Sequence, residues 1–325
     1  MNNSICGSQQ QNSSFKPLQV EDPLYSTIIA NIVFIGCLCY PTIMLNIVTI
    51  HALRKTSALS KPLKTFLLSL AVSDLGVGLL SQPLYITSQI ALLRCHLLNY
   101  TIRVSITSVV TNTVCLSSFF SIMALSAERF IAIQKPLRYQ EIVTQKRVFT
   151  VAITMWLCSA SLGLFVGVLC QVSTGVVFII IIESFCFVAT TWSSYKIYLT
   201  VRRHNIQMQA QVQQVSQNKN VVKMSAFRKS AHSTLLIYLA FWICYLPRYF
   251  ISIVHHLQAT KSIVLEILDG LSLTLVLLNS SINPIIYCWT MRHIRHTVVG
   301  IIRNKFAGPA FIVQFTAVAL PSCKT

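Results

Sequence analysis

The sequence predicts an all-α membrane protein, a bundle of seven membrane-spanning helices followed by a short amphipathic helix. Only 10% of its 325 residues are charged and 54% are hydrophobic, whereas a soluble domain carries about 25% charged residues. Seven apolar stretches each exceed the roughly 18 residues that can cross a bilayer as a helix. Spanning strands are excluded, because segments such as Val176–Ile182 lack the alternation of a membrane barrel.

The seven predicted spans are separated by loops of very different length. The loop between spans four and five has only a few residues, whereas residues 204–227 form the longest loop, which is polar and rich in Gln. We expect an outer tail at 1–25, one seven-span domain at 26–291, and the amphipathic helix with a cytoplasmic tail at 292–325. The spans cover, in order, Thr27–Leu53, Thr65–Leu93, Arg103–Ile133, Val148–Leu169, Ser173–Val201, Ala231–Leu257 and Ser262–Thr290.

The distribution of basic residues predicts the orientation of the bundle. The formal net charge is +18, and all but five of the 26 Lys and Arg residues lie in the loops after spans one, three and five, at the bordering helix ends or in the C-terminal segment. Basic loops stay in the cytoplasm, so we expect a multi-pass plasma-membrane protein with its N-terminus outside. This charge suits contact with anionic membrane lipids and does not indicate a nucleic-acid partner.

The predicted outer segments contain sites of covalent modification. Three Asn-x-Ser/Thr sequons, the acceptors of N-glycosylation, begin at Asn2, Asn12 and Asn99. Cys6, Cys95 and Cys170 lie on the same oxidising side, and either of the first two is a candidate disulfide partner of Cys170. Met1–Phe15 lacks the basic and apolar regions of a cleaved leader, so we expect span one to act as an uncleaved insertion signal.

The last predicted helix, over 292–303, is amphipathic. Ile294, Val298 and Ile301 fall on one face, while Arg295 lies among the polar residues. This pattern predicts a helix that lies on the inner membrane surface.

Ionisable residues inside apolar spans are functional candidates, because placing them in lipid is expensive. Span two holds Asp74, span five Glu183 and span six Arg248, and span three ends in Glu128 and Arg129. The polar set of span seven is Asn279, Ser280 and Asn283. A transporter would show internal repeats and a channel would show pore-lining polar rings; neither pattern occurs here, and no set of residues indicates an enzyme.

Short motifs recur in a fixed order along the spans. They are Asn46 in Leu-Asn-Ile-Val of span one, Asp74 in Leu-Ala-Val-Ser-Asp-Leu of span two, Glu128-Arg129-Phe130 in span three, Trp156 in span four, Phe241-Trp242-Ile243-Cys244-Tyr245-Leu246-Pro247 in span six and Asn283-Pro284-Ile285-Ile286-Tyr287 in span seven. In this order they closely resemble the rhodopsin-like (class A) G-protein-coupled receptors, and the match covers residues 27–303.

The resemblance implies an activation switch built from Glu128, Arg129, Tyr245, Pro247, Asn283, Pro284 and Tyr287. In the family, the residue matching Arg129 rests against its acidic neighbour and extends towards the G protein on activation. A proline kink at Pro247 lets the inner half of span six swing outward. No acid lies between Glu183 and Glu266, so the usual acidic restraint from span six is missing and we expect raised basal activity.

The resemblance also implies a polar network that holds an allosteric sodium ion at Asp74 and favours the closed state. Its members match Asp74, Ser118, Asn279, Ser280 and Asn283. The alternative is a water-filled network that only ties the helices together. No other cofactor is expected.

The ligand-binding residues of known branches do not carry over. The short loop between spans four and five resembles melanocortin, adenosine, cannabinoid and lysolipid receptors, and Val104 replaces the Cys of the standard outer disulfide. However, the amine-binding Asp of span three is Thr111, the retinal-binding Lys of span seven is Leu277, and the adenosine-binding Asn of span six is Ser252. The resemblance therefore implies the receptor class without the ligand.

The outer halves of the spans predict a mostly apolar pocket with few polar anchors, as in small-molecule sites. The polar candidates are Ser108, Thr111, Asn112, Cys115, Glu183, Arg248, Tyr249 and Ser252. Arg248 has two interpretations: it binds an acidic group on a lipid-like or small organic ligand, or it forms a buried ion pair with Glu183.

The sequence thus predicts a receptor that senses an extracellular small-molecule or lipid-like ligand and activates a heterotrimeric G protein through outward movement of span six, with arrestin as a further partner. Two alternatives stay open. One is a silent or scavenging seven-helix receptor. It stays open because Tyr245 stands where the family has its switch Trp, and Cys186 stands where the family has a Pro in span five. The other is a melanocortin-like receptor for a peptide hormone.

Overall fold

The computed structural model describes residues 22–57, 59–94, 97–135, 137–169, 173–212, 219–257 and 262–305, and every regular element among them is helical. Six of these helices are long and apolar enough to cross a membrane, with mean hydropathies of 1.6 to 2.1. The remaining span is the 40-residue helix Ser173–Val212. The predicted class, a seven-span helical bundle with a C-terminal helix, is confirmed.

The helices follow the predicted order, with two additional short elements. Span one is Pro23–Lys55; span two is Lys61–Gly76, a π-helical turn Val77–Ser81 and Gln82–Leu93; span three is Leu97–Gln134; a short helix is Tyr139–Ile142; span four is Gln145–Leu169; span five is Ser173–Val212; span six is Lys219–Leu257; span seven is Ile263–Thr290; and the C-terminal helix is Arg292–Lys305.

Spans five and six are longer than predicted. Residues 204–212 continue span five and residues 219–227 begin span six, so the predicted loop over 204–227 is wrong for most of its length. The stretch contains no Gly or Pro, and its Gln, Met, Ala and Lys residues are good helix formers. Nothing in the local sequence therefore stops either helix.

The π-helical turn in span two was not predicted. The N–H of Gln82 donates to the carbonyl of Val77, five residues earlier, and Pro83 has no N–H to donate. The wider turn lets the helix continue past the proline. Gly78 lies in this turn against span one, where a Cβ would stand only 2.9 Å from Cγ1 of Ile43.

Span three packs closely on span four through two glycines. A Cβ on Gly163 would lie 2.9 Å from the carbonyl oxygen of Val109 and 3.0 Å from the backbone nitrogen of Thr113. A Cβ on Gly167 would lie 3.1 Å from the backbone nitrogen of Val109. Small residues let the two backbones approach, which holds span three in the interior of the bundle.

The C-terminal helix packs on the bundle with the face that the sequence predicts. Ile294 and Val298 are buried in the same core cluster as Tyr287, and Ile301 packs against that cluster. The helix begins directly after Met291, where span seven ends.

Candidate functional site

A cavity of about 510 Å³ opens at the end of the bundle where span one begins. Its volume lies within the range of small-molecule sites. Its wall includes Leu24 near the mouth and Tyr245 at the floor. Six of the predicted pocket residues line it: Ser108, Thr111, Asn112, Cys115, Glu183 and Arg248.

Two predicted pocket residues do not line this cavity. The hydroxyl of Tyr249 shares a 2.6 Å hydrogen bond with the hydroxyl of Ser184, and its ring contacts Phe187 at a centroid distance of 5.4 Å. Tyr249 therefore joins spans six and five. Ser252 is also absent from the cavity wall.

Arg248 forms an ion pair with Asp269 on span seven. Its Nη1 donates to the Asp269 carboxylate and, at 3.4 Å, to the Asp269 carbonyl oxygen. Glu183, the ion-pair partner that the sequence offered, forms no salt bridge with Arg248 among the described residues, so that predicted pairing is wrong. Because Asp269 pairs with Arg248, an acidic ligand would have to compete with Asp269 for the guanidinium. Asp269 lies inside the predicted seventh span, and its charge there was the signal that could have identified it.

Glu183 lines the same cavity from span five. In the part of the chain that the structure describes, its carboxylate takes part in no hydrogen bond or salt bridge. Glu266 also lines the cavity but is exposed in the first turn of span seven. The cavity thus contains carboxyl groups that form no direct ion pair with Arg248.

The floor of the cavity connects to an aromatic cluster. Tyr245 stacks on Phe241 with ring centroids 4.1 Å apart, and Phe241 meets the edge of Phe119 at 4.6 Å. Pro247 lies two residues beyond Tyr245 inside the helix of span six. A ligand at the floor would therefore press on the segment next to the proline.

Below the floor, Asp74 is fully buried and accepts hydrogen bonds from spans three and seven. Nδ2 of Asn283 donates at 2.8 Å and Oγ of Ser118 at 3.3 Å. Ser118 also shares a 2.8 Å hydrogen bond with Ser73. The network joins spans two, three and seven.

This network contains side-chain oxygen atoms of the kind that coordinate a sodium ion. Among the described residues, neither side-chain atom of buried Asn279 has a hydrogen-bond partner, nor does Oδ1 of Asn283. Ser280 is buried beside them, with 3% of its surface exposed. Carboxylate, amide and hydroxyl oxygens suit a hard cation, so the residues fit the ion that the family resemblance implies.

At the opposite end of the bundle, Arg129 pairs with Glu128. Nη2 of Arg129 donates to Oε1 of Glu128 at 2.6 Å, and both residues are buried. The hydroxyl of Tyr139, on the short helix after span three, donates to the same oxygen. This contact is not evident from the sequence, because it depends on how the loop folds back under span three.

Tyr139 acts as a donor over the whole physiological pH range. Burial, followed by the hydrogen bond to the Glu128 carboxylate, raises the pKa of the Tyr139 phenol from 10.0 to about 12. The phenol therefore stays protonated.

Spans five and six meet near the switch through a neutral hydrogen bond. The Tyr238 hydroxyl donates to Oγ1 of Thr191 at 2.7 Å. Ser194 is buried, whereas Tyr195 is 57% exposed on the outside of the bundle. Tyr287 is fully buried, and its hydroxyl has no partner among the described residues. Pro284 lies inside the helix of span seven.

Several predicted modification sites lie outside the described residues. They are Asn2, Asn12, Cys6, Cys95 and Cys170. Asn99 lies in the first turn of the helix Leu97–Gln134, but its side chain is outside the described part. The glycosylation and disulfide assignments therefore stay predictions.

Comparison with known proteins agrees with this geometry. The family model described as 7 transmembrane receptor (rhodopsin family) matches residues 45–287. An adenosine receptor A2b from Gallus gallus is 25% identical over 291 residues, which cover 79% of this chain and 83% of that protein. An adenosine receptor A2a from Canis lupus familiaris is 26% identical over 80% of this chain and 68% of that protein. A melanocortin receptor 4 from Danio rerio is 28% identical over 78% of this chain and 77% of that protein.

Proposed function

The chain belongs to the rhodopsin family of seven-transmembrane receptors, and on that premise we propose that it is a plasma-membrane receptor for an extracellular small-molecule ligand. Ligand binding in the cavity shifts the bundle towards a state in which span six has moved outward, and that state activates a heterotrimeric G protein. Arrestin and anionic lipids are the further partners of the inner face.

One observation carries this proposal: the cavity and the partner-binding end are linked by packed side chains along span six. Tyr245 forms the cavity floor, stacks on Phe241 and lies two residues from Pro247. Motion about a proline is a recognised way for a helix to swing. A ligand contact at the cavity floor can therefore change the position of the inner half of span six.

The inner end supplies a group that changes partners. A guanidinium stays charged and presents a planar fork of donors, so Arg129 exchanges Glu128 for a partner surface without a change of protonation. Span six has no acidic residue that could hold Arg129 in the inactive state. Two hydrogen bonds restrain the closed state instead: Tyr139 donates to Glu128, and Tyr238 donates to Thr191. We expect measurable basal activity as a result.

Leu137 supports a protein partner at this end. Its side chain is 95% exposed and lies in the loop between span three and the short helix, outside the apolar spans. Exposed apolar residues that neither lipid nor core covers can mark an interaction site.

A silent or scavenging receptor is the second candidate, because Tyr245 and Cys186 depart from the signalling pattern of the family. A G-protein activation assay in cells separates the two candidates, with adenosine, melanocortin peptides, lysolipids and small amines as test ligands. We expect basal activity above that of mock-transfected cells at equal surface expression, and a further response to one class. A receptor at the surface with no activity in any condition would favour the silent candidate.

A further inference from the structure

The cavity wall holds more acidic than basic side chains. Its acidic residues are Glu183, Glu266 and Asp269, and Arg248 lies among them. Arg248 and Asp269 neutralise each other in their ion pair. Among the described residues, Glu183 and Glu266 form no ion pair, and Arg248 acts on Glu183 only at longer range.

Glu183 is the carboxylate that a ligand would meet inside the bundle. It lies two turns of helix before Thr190, which is fully buried, and shares the cavity with Tyr245 at the floor. The charged form of a carboxyl group without a hydrogen-bond or ion partner is costly in an apolar span, so a cation that enters the cavity would stabilise the ionised form of Glu183. By contrast, Glu266 is exposed to water at the mouth, where its charge is screened.

We propose that the cavity recognises a small organic cation whose ammonium group pairs with the Glu183 carboxylate. This inference rests on the proposed function, in which the cavity is the ligand site. It differs from one of the two interpretations offered by the sequence, in which Arg248 binds an acidic group of the ligand, because Arg248 pairs with Asp269 in this structure.

The remaining wall indicates the rest of the ligand. Nδ2 of Asn112 donates to Oγ of Ser108 at 3.1 Å on span three, which leaves amide and hydroxyl groups facing the cavity. Leu273 and Val276 add apolar surface from span seven. A cation with a compact apolar body, such as an arylalkylamine, matches this combination and the volume of about 510 Å³.

Cys115 provides a reporter within the cavity wall. It is a half-buried free thiol that lines the cavity, so a bound ligand should slow its modification by neutral methyl methanethiosulfonate. Modification is measured on the Cys115 peptide by mass spectrometry, using the purified full-length receptor. The probes are phenethylamine, 2-phenylethanol and phenylacetate, which share one skeleton and carry positive, zero and negative charge.

We expect phenethylamine to protect Cys115 and phenylacetate not to. Glu183→Gln keeps the shape and a neutral hydrogen-bonding group, and it should raise the half-protecting phenethylamine concentration by at least about tenfold. The matched variant Glu266→Gln removes an exposed carboxylate and should change that concentration by less than about threefold. Equal protection in Glu183→Gln, better protection by phenylacetate, or no protection by phenethylamine would overturn the proposal.

A second measurement needs no variant. In the unmodified receptor, cationic 2-aminoethyl methanethiosulfonate should react with Cys115 about tenfold faster than the anionic 2-sulfonatoethyl reagent, after correction for their rates with a free thiol. A ratio of one or below would contradict a negative cavity. Because neither measurement includes a G protein, protection without signalling would refute the proposed function alone, and signalling without amine protection would refute this inference alone.

Discussion

Replacing Tyr139 by Phe tests how the receptor is held inactive. The variant removes one hydroxyl, which donates to Oε1 of Glu128, the same oxygen that accepts from Arg129. We argue that the three groups meet only in the closed state, because Arg129 must leave Glu128 to reach a partner. Losing the hydroxyl should therefore destabilise the closed state and leave the open state unchanged.

The size of the effect follows from the chemistry of the contact. A hydrogen bond to a charged group contributes about 1.5–3 kcal/mol, and the lower end applies because Tyr139 is only half-buried. A loss of about 1.5 kcal/mol changes an equilibrium by roughly tenfold. Tyr139→Phe should raise the ratio of active to inactive receptor by about that factor.

The same contact predicts little dependence on pH. The pKa of Tyr139 is raised from 10.0 to about 12, so the phenol is protonated in both states below pH 10, and the contact weakens only as the pH rises through about 12. Changes of basal activity between pH 6 and 8 should therefore be the same in the wild type and in Tyr139→Phe.

Basal nucleotide exchange, normalised to surface receptor, measures the effect. Tyr198→Phe is the matched control, since Tyr198 is 50% exposed in span five and the same atom is removed. The reasoning fails if Tyr139→Phe has wild-type or lower basal activity while Tyr198→Phe behaves like the wild type.

Four further predictions concern other contacts. Tyr238→Phe removes the neutral hydrogen bond between spans six and five, worth about 1 kcal/mol, and should raise basal exchange about fivefold; no rise would exclude a restraint there. Added sodium should lower basal exchange in the wild type but not in Asp74→Asn, and equal sodium responses would leave only a polar network. Gly163→Ala should lower stability by about 1–3 kcal/mol through overpacking, seen as a lower melting temperature, whereas Gly300→Ala, with nothing within 4 Å, should not. Leu137→Ala should weaken G-protein activation several-fold at unchanged surface expression, and full activation would remove Leu137 from the partner surface.

Much of the fold could be predicted because each span is marked by local properties. Length and hydropathy identify a span whatever its neighbours in the bundle are. Each switch motif also lies within a single helix. The pairing of Arg248 could not be predicted in this way, since it depends on how spans six and seven are rotated against each other. Both Glu183 and Asp269 are acids at a plausible depth, and only the assembled bundle distinguishes them.

Other features escaped prediction for separate reasons. The π-helical turn Val77–Ser81 was not predicted, because a helix can accommodate a proline by a kink, a break or a wider turn, and the sequence does not distinguish these. The loop over 204–227 was read as polar and irregular, although its residues favour helix. The contact of Tyr139 with Glu128 requires the chain to turn back after span three, which local sequence does not indicate. Only the Tyr139 contact depended on the relation between segments.

The central claim is that this bundle activates a G protein through Arg129. Nucleotide exchange by purified G proteins, with the purified receptor in lipid nanodiscs and no added ligand, tests it most directly. The account predicts faster exchange than with empty nanodiscs, loss of the increase in Arg129→Ala, and retention in Arg54→Ala, which removes an exposed Arg at the end of span one. Exchange at the level of empty nanodiscs with every G-protein class, or full activity in Arg129→Ala, would contradict it.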